Sequence, residues 1–320
     1  MARDAYMGHV SYALGDCGET VEQAVVRGVT LSEAQEFRRG GFSQHHVCSA
    51  NVSAYDLARR AVAGIRGQLD GIDAIVYATA LPANACIPAP GAFEQTRDVK
   101  HLMHFAASEL QAEFDLSNAA VFGLDQQACT GALGSMRLAR GLIASEQDIR
   151  RVLCVTADRF PEGALYEQAY NLISDGAAAC VVSAERSDFR IVACHGITNG
   201  ALARASDDET AGMFFSYGLA AIRGVLSRAG LGIEDIAWIV PQNTHANAWR
   251  ILAGLLPFPI ERIRFPALEH AGHVVSADNL INLKALTESN AVHPGEFVLL
   301  FMAGYGLNWQ CAILERVSDD

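Results

Sequence analysis

The sequence predicts an α/β protein built from two copies of one unit, its sheets mostly parallel and covered on both faces by helices. Three observations carry that expectation. Short apolar runs of strand length alternate with stretches of helical periodicity along the 320 residues. Several of these runs are apolar throughout rather than alternating, as strands buried on both faces are. Four elements then recur in the same order in the two halves, which marks an internal repeat.

In the first half, residues 55–65 read as a helix and 71–78 as the short apolar strand after it. Residues 124–129 end a strand and open an amphipathic helix carrying Leu133, Met136, Leu138, Leu142 and Ile143. Two strands close the half, over 151–157 and 177–183. The second half answers in order. Residues 217–226 read as the helix and 232–241 as the strand, stopped by Pro241. Residues 268–273 open a helix carrying Leu280, Ile281, Leu283 and Leu286, and strands over 297–302 and 308–314 close the chain. Chance likeness between α/β patterns is the competing explanation. The polar stretch 184–188 sets the expected boundary, giving halves 1–186 and 187–320, and the acidic stretch 205–210 reads as an inserted loop.

Composition narrows the classes. With 51% hydrophobic and 19% charged residues, the chain is globular rather than disordered or fibrous. A net charge of -12 disfavours nucleic acid and anionic membrane as partners, because the average field repels phosphate. Eight cysteines without a close CxxC pair read as reduced, mostly buried thiols of a cytoplasmic protein. The start Met1-Ala2-Arg3-Asp4 lacks an apolar signal core, and no apolar run reaches the ~18 residues of a membrane span.

The repeat singles out Cys129 and His273 as equivalent strand-to-helix positions facing one seam. A thiol at a helix N-terminus meets unpaired N–H groups and the positive end of the dipole, which favour the nucleophilic thiolate. A buried structural cysteine is the plainer reading. An acid beside His273 would fix its tautomer and stabilise the imidazolium, and Asp278 is the nearest candidate. Five residues do not share a helix face, so His273 would have to precede the helix proper. Equally, Asp278 could serve only the helix N-terminus. After Pro241, Asn243 or His245 could donate to an oxyanion, or simply cap the next helix.

Other signals are weaker. His45-His46-Val47-Cys48 and the pair His101 and His104 lack a second cluster at zinc spacing. Gly304-Tyr305-Gly306 reads as a tight turn with exposed N–H groups. Arg38, Arg39, Arg250, Arg262 and Arg264 suit a phosphorylated carrier, with plain surface solubility as the alternative.

Gln127-Ala128-Cys129-Thr130-Gly131, Ser174-Asp175-Gly176-Ala177 and Ala303-Gly304-Tyr305-Gly306-Leu307-Asn308-Trp309, set in duplicated halves, together resemble the thiolase-fold β-ketoacyl synthase III group. The resemblance spans nearly the whole chain. It implies a five-layered α-β-α-β-α sandwich, a homodimer, no permanently bound cofactor, and an acyl group taken from coenzyme A or an acyl-carrier-protein phosphopantetheine thioester onto the cysteine. Condensing members carry a Cys-His-Asn set, with His directly after the strand-ending proline and Asn after the glycine of the second-half turn. This chain has Gln242 and His273 there.

The departure resembles a divergent acyltransferase subgroup that passes acyl groups to an alcohol or amine in secondary metabolism. The resemblance then assigns Cys129, His273 and Asp278 as a triad and Asn243 as an aid to the oxyanion. It leaves backbone N–H groups of Cys129 and Gly306 as oxyanion donors, and Arg38 and Arg250 for the donor. A short insertion would instead align His245 with the usual histidine. A condensing enzyme using a malonyl thioester, a non-catalytic partner subunit and a hydrolase are the alternatives. The pocket is expected from loops 81–90 and 160–170.

Overall fold

The computed structural model describes residues 3–82, 91–103, 105–169, 171–204, 207–305 and 307–318. The first half runs β1 (Tyr6–Leu14), β2 (Cys17–Thr20), α1 (Val21–Arg27), α2 (Ala34–Gly40), β3 (Gln44–Val47), α3 (Ala54–Ala63), β4 (Ala74–Ala78), α4 (Ala92–Thr96), α5 (Ala106–Glu113), β5 (Ala120–Leu124), α6 (Gly131–Ser145), β6 (Arg151–Asp158), β7 (Glu167–Gln168), β8 (Asn171–Leu172) and β9 (Gly176–Ser183). The second runs β10 (Phe189–Thr198), α7 (Asp207–Ala229), β11 (Ile236–Pro241), α8 (Ala246–Leu255), α9 (Leu268–Ala271), α10 (Asp278–Glu288), β12 (Phe297–Gly304) and β13 (Asn308–Arg316).

The fully apolar runs become strands with both faces covered. All of β4 and β9 is buried, and all of β6 but Arg151. Their sheet has the order β1-β9-β6-β4-β5, and the second half repeats it as β10-β13-β12-β11. Where the first half places β5 beside β4, the second has only Ile263 bridging Ile239 in parallel. The two sheets join through β1 and β10, paired only at Tyr6↔Arg190 and Met7↔Phe189.

Among the described residues three strand pairs of this sheet are parallel, β4–β5, β4–β6 and β11–β12, and five are antiparallel. The sheets are therefore mixed rather than mostly parallel. The closing strands of each half follow one another without an intervening helix on the sheet, and an antiparallel return needs no crossover.

Helices fill three of five layers, and the two sheets the others. Outside the first sheet, α3 starts at Ser53, whose hydroxyl accepts from Asp56 N while the Asp56 carboxylate accepts from Ser53 N. It buries Leu57, Ala61 and Val62 with Ile75, Leu153 and Val155. Outside the second, α7 and α8 bury Ile222, Val225, Trp249 and Leu252 with Ile239, Leu299 and Ile313. Between the sheets lie α6 and α10, where Leu133, Met136, Leu280 and Ile281 meet Val76 and Val152 on one side and Val298 and Leu300 on the other. Each such side chain contributes about 1.5–3 kcal/mol when fully buried.

A smaller unit of β2, β3, α1 and α2 closes over one end of the seam, with Phe37 and Phe42 packed on Leu172 and Leu268. No helix among the described residues is long and apolar enough to cross a membrane.

Candidate active site

Two turns meet at the centre of the seam. The first leaves β5, enters a 3₁₀ turn at Ala128–Thr130 and becomes α6. Ala128 has φ +43°, the left-handed region that residues with a Cβ rarely adopt, so the chain bends sharply just before Cys129. The second leaves α9, passes Gly272 and His273, enters a 3₁₀ turn at Val275–Ala277 and becomes α10. Val275 has φ +46°. The backbone match therefore pairs Ala128 with Val275 and Cys129 with Ser276. His273 stands three residues before the position equivalent to Cys129, which corrects the equivalence expected from the repeat.

Ser276 is fully buried, shares a hydrogen bond with Thr156, donates to Asp158 at 3.3 Å, and lies beneath Gly131 at the start of α6. The second turn thus props the first.

Gly272 makes the position of His273 possible. Its φ of +64° with ψ of -157° suits glycine, and a Cβ there would sit 2.8 Å from the Leu172 carbonyl oxygen. That oxygen accepts the His273 N–H at 2.8 Å, and the His273 carbonyl accepts from Ser174 N at 2.8 Å. The histidine is thereby clamped to the segment that precedes β9.

Its Nδ1 lies 2.5 Å from Asp278 Oδ2, and Cys129 lines the same cavity as the ring. Asp278 is the first residue of α10 and fully buried, so it serves the helix start and the histidine together. Its oxygens accept from Asn243 N and Val274 N, both at 2.7 Å, and from Asn243 Nδ2 at 3.3 Å. Burial by itself disfavours the charged imidazole of His273, but Asp278 and Cys129 outweigh it and raise the pKa to about 10.

Asn243 does not take the place expected of it. It is fully buried, with Nδ2 donating to Gly272 O at 2.7 Å as well as to Asp278, and Oδ1 accepting from Asn282 at 2.8 Å. Both ends of its amide are occupied, so it holds the turn and the carboxylate and does not face an oxyanion. His245 caps α8, its Nδ1 accepting from Asn247 N at 3.3 Å. It lines the cavity, but the histidine whose pKa Cys129 raises is His273. Burial and nearby Arg250 lower the His245 pKa, against a smaller upward pull from Glu36.

A cavity of about 280 Å³ opens on Cys129 and His273. Phe214, Phe215, Ala248, Leu307 and Trp309 are among its apolar lining residues, and Gln168, Asn171, Gln242, Thr244 and His245 among its polar ones. Loop 160–170 contributes Gln168 and Ala169 as expected of it, while residues 83–90 and Tyr170 lie outside the described residues. Gly304 ends β12 against the first turn, where a Cβ would lie 3.0 Å from Gln127 O and 3.2 Å from Cys129 N. Gly306 and His104 also lie outside the described residues.

Of the arginines, Arg38 is engaged by both oxygens of Glu22 and donates to Ser43, so it is not a free site for phosphate. Arg250 stands one turn into α8 and donates to Asn247. Arg39 pairs with Glu36, while Arg262 and Arg264 lie over Phe258 and Trp238. His45 and His46 reach backbone carbonyls, Ile173 from the first and Gly15 and His270 from the second. Asn171, Phe214 and Phe215 had no signal in periodicity or spacing, since each reaches the cavity only through the tertiary fold.

Five layers, a duplicated strand order and a polar cluster at the seam define a thiolase-fold protein. The family model for 3-oxoacyl-[acyl-carrier-protein] synthase III matches residues 125–200, and the model for its C-terminal part matches residues 226–316. A β-ketoacyl-[acyl-carrier-protein] synthase III of Wolbachia pipientis wMel is 25% identical over 300 residues, covering 87% of this chain and 88% of its own length. The corresponding protein of Paramagnetospirillum magneticum is 24% identical over 335 residues, covering 93% and 97%.

Among solved structures, the synthase III FabH of Pseudomonas aeruginosa PAO1 superposes with a TM-score of 0.81 at 22% identity, over 99% of both chains. ChlB3, described as an acyltransferase, superposes with a TM-score of 0.79 at 17% identity, over 98% of both. At these identities the structural likeness is one of fold. The chain belongs to the 3-oxoacyl-[acyl-carrier-protein] synthase III-like family of condensing and acyl-transferring enzymes.

Proposed function

We propose that this enzyme moves an acyl group from a coenzyme A or carrier-protein thioester, through Cys129, to a hydroxyl or amine acceptor. The observation that supports it is the histidine held between Cys129 and a buried carboxylate, in a chain where Gln242 follows the strand-ending proline. A glutamine can donate a hydrogen bond but cannot take or give a proton at neutral pH.

Cys129 attacks the thioester carbonyl as thiolate. The carbon–sulfur bond to the donor breaks, and imidazolium His273 gives its proton to the leaving thiolate. Neutral His273, oriented by Asp278, then takes the proton of the acceptor as the acceptor attacks the acyl-cysteine, and the thiolate–imidazolium pair is restored. Asn243 is assigned to positioning. The backbone N–H of Cys129 and that of Gly306 are the proposed oxyanion donors, with Arg250 near the donor's phosphates.

The same reading divides the chain into halves 1–186 and 187–320 and makes two whole chains a homodimer that works in the cytoplasm, in secondary metabolism, without a resident cofactor. Decarboxylative condensation is the second reading, favoured by what the sequence relatives are named for. Intact mass after incubation with acyl-coenzyme A tests the first step. An acyl adduct on wild type that is absent from Cys129→Ala supports it, and no adduct on wild type sinks it. Adding malonyl-coenzyme A to the acylated enzyme separates the readings, because only condensation releases carbon dioxide.

A further inference from the structure

Three of the polar side chains that line the cavity with Cys129 and His273, namely Gln242, Asn171 and His245, have an acceptor atom tied to the protein. Gln242 Oε1 accepts from Ala303 N at 2.6 Å. Asn171 Oδ1 accepts from the Thr244 hydroxyl at 2.7 Å and from His245 N at 3.2 Å. His245 Nδ1 accepts from Asn247 N at 3.3 Å, which puts the ring proton of the neutral imidazole on Nε2.

What each has left is a donor: Gln242 Nε2, Asn171 Nδ2 and His245 Nε2–H. None of the three donates to a partner among the described residues. The anchors are firm, because Gln242 and Asn171 are 5% and 7% exposed and Ala303 N belongs to β12. Reversing either amide would set an N–H against an N–H. Thr244, the other buried polar side chain on this wall, has its proton committed to Asn171.

We propose that the acceptor substrate is recognised through a carbonyl or carboxylate group, held by Gln242, Asn171 and His245, and that amines bound as ammonium are rejected. Carbonyl and carboxylate oxygens accept from donors of this kind, whereas an ammonium brings further N–H groups against them and leaves them unpaired. Phe214, Phe215, Leu307 and Trp309, which line the same cavity, would hold an apolar body attached to that group. The inference rests on the proposed transfer in taking this cavity as the acceptor's place, and it narrows the acceptor of that transfer.

Protection of Cys129 from iodoacetamide provides a test that requires no acylation. Alkylation of the Cys129 peptide is followed by mass spectrometry, since exposed Cys17 and half-buried Cys48 will also react. Butanoate, 2-pentanone and butylammonium, matched in size, are the probes. The expected result is half-protection by butanoate or 2-pentanone at a concentration at least about tenfold below that of butylammonium, a difference typical of satisfied against unsatisfied donors. The two oxygen probes separate a carboxylate acceptor from a neutral carbonyl one. Equal or better protection by butylammonium overturns the proposal.

Gln242→Glu and Asn171→Asp each keep the anchoring oxygen and replace the donor by a second oxygen. Each should bring the ratio to one or invert it, and a ratio unchanged in both overturns the proposal as well. If Cys129 takes no acyl group while the ratio holds, only the proposed transfer fails. If it takes the acyl group and the ratio does not hold, only this inference fails.

Discussion

Replacing Asp278 by Asn removes one charge while changing the shape of the side chain very little. In the native protein its two oxygens accept from His273, from Val274 N and twice from Asn243. An asparagine offers one oxygen and one NH₂. If the oxygen stays with Val274 N, the NH₂ faces His273 Nδ1, which must then accept, and the single ring proton moves to Nε2 on the side of Cys129. The ring can no longer take a proton there.

The electrostatic effect has the same direction. His273 titrates at about 10 because Asp278 and Cys129 overcome its burial. Without the carboxylate, burial is opposed only by the cysteine, and the pKa should fall below the ordinary 6.5. A fall of at least about 3 pH units corresponds to roughly 4–5 kcal/mol of lost preference for the imidazolium. Nitrogen NMR of the histidine rings between pH 5 and 11 measures it directly. The acyl-transfer rate should drop about 10²–10⁴-fold, the range of a lost general acid–base partner.

Stability gives an independent reading. A histidine whose folded pKa lies above its unfolded value stabilises fully below pH 6.5, and that contribution is lost as pH rises through about 10. Wild type should therefore lose denaturant resistance between pH 7 and 10 in a way that Asp278→Asn does not. A variant whose His273 still titrates near 10, or whose transfer rate stays within threefold of wild type, would refute the reasoning.

Two further substitutions probe the frame around the histidine. Gly272→Ala places a Cβ 2.8 Å from the Leu172 oxygen at a φ of +64°, so denaturant unfolding should show a loss of about 2–4 kcal/mol. Asn243→Leu strips Gly272 O, Asp278 and Asn282 of partners inside the core. Unfolding should show a loss of about 2–4 kcal/mol, and the histidine NMR titration should show a shifted His273 pKa.

What the sequence made legible was the backbone plan. Strands such as β4 and β9, apolar along nearly their whole length, could only be covered on both faces, and helices carrying Leu133 and Met136 or Leu280 and Ile281 had to lie against them. Strand direction was not legible, because an apolar run carries no record of whether the chain returns through a helix or directly. The place of Cys129 before α6 was legible from its turn residues. The duty of Asn243 was not. Good capping residues and good oxyanion donors are the same residue types, and only the contacts with Gly272, Asp278 and Asn282 separate them. Asn171 and Gln242 similarly acquire meaning only from which end of each amide the fold occupies.

The duplication explains why a histidine and a cysteine meet at the seam without being structural equivalents. Two turns that each open a helix, one after β5 and the other after α9, bring two 3₁₀ turns together, one carrying Cys129 and the other Ser276. If the second copy also presented its reactive group at the equivalent position, it would lie under Gly131 and beside Asp158, buried behind the first turn rather than open to the cavity. Three residues earlier the chain emerges on the cavity side, provided that residue 272 tolerates φ +64° and the N-terminal half supplies Leu172 O and Ser174 N to hold the backbone. A carboxylate at the first position of α10 then lies within reach of that histidine, since the intervening 3₁₀ turn brings residues 273 and 278 together where a regular helix would hold them apart. The difference between the two turns thus lies in a few residues of the second, and the proposed division of labour between nucleophile and base follows from it.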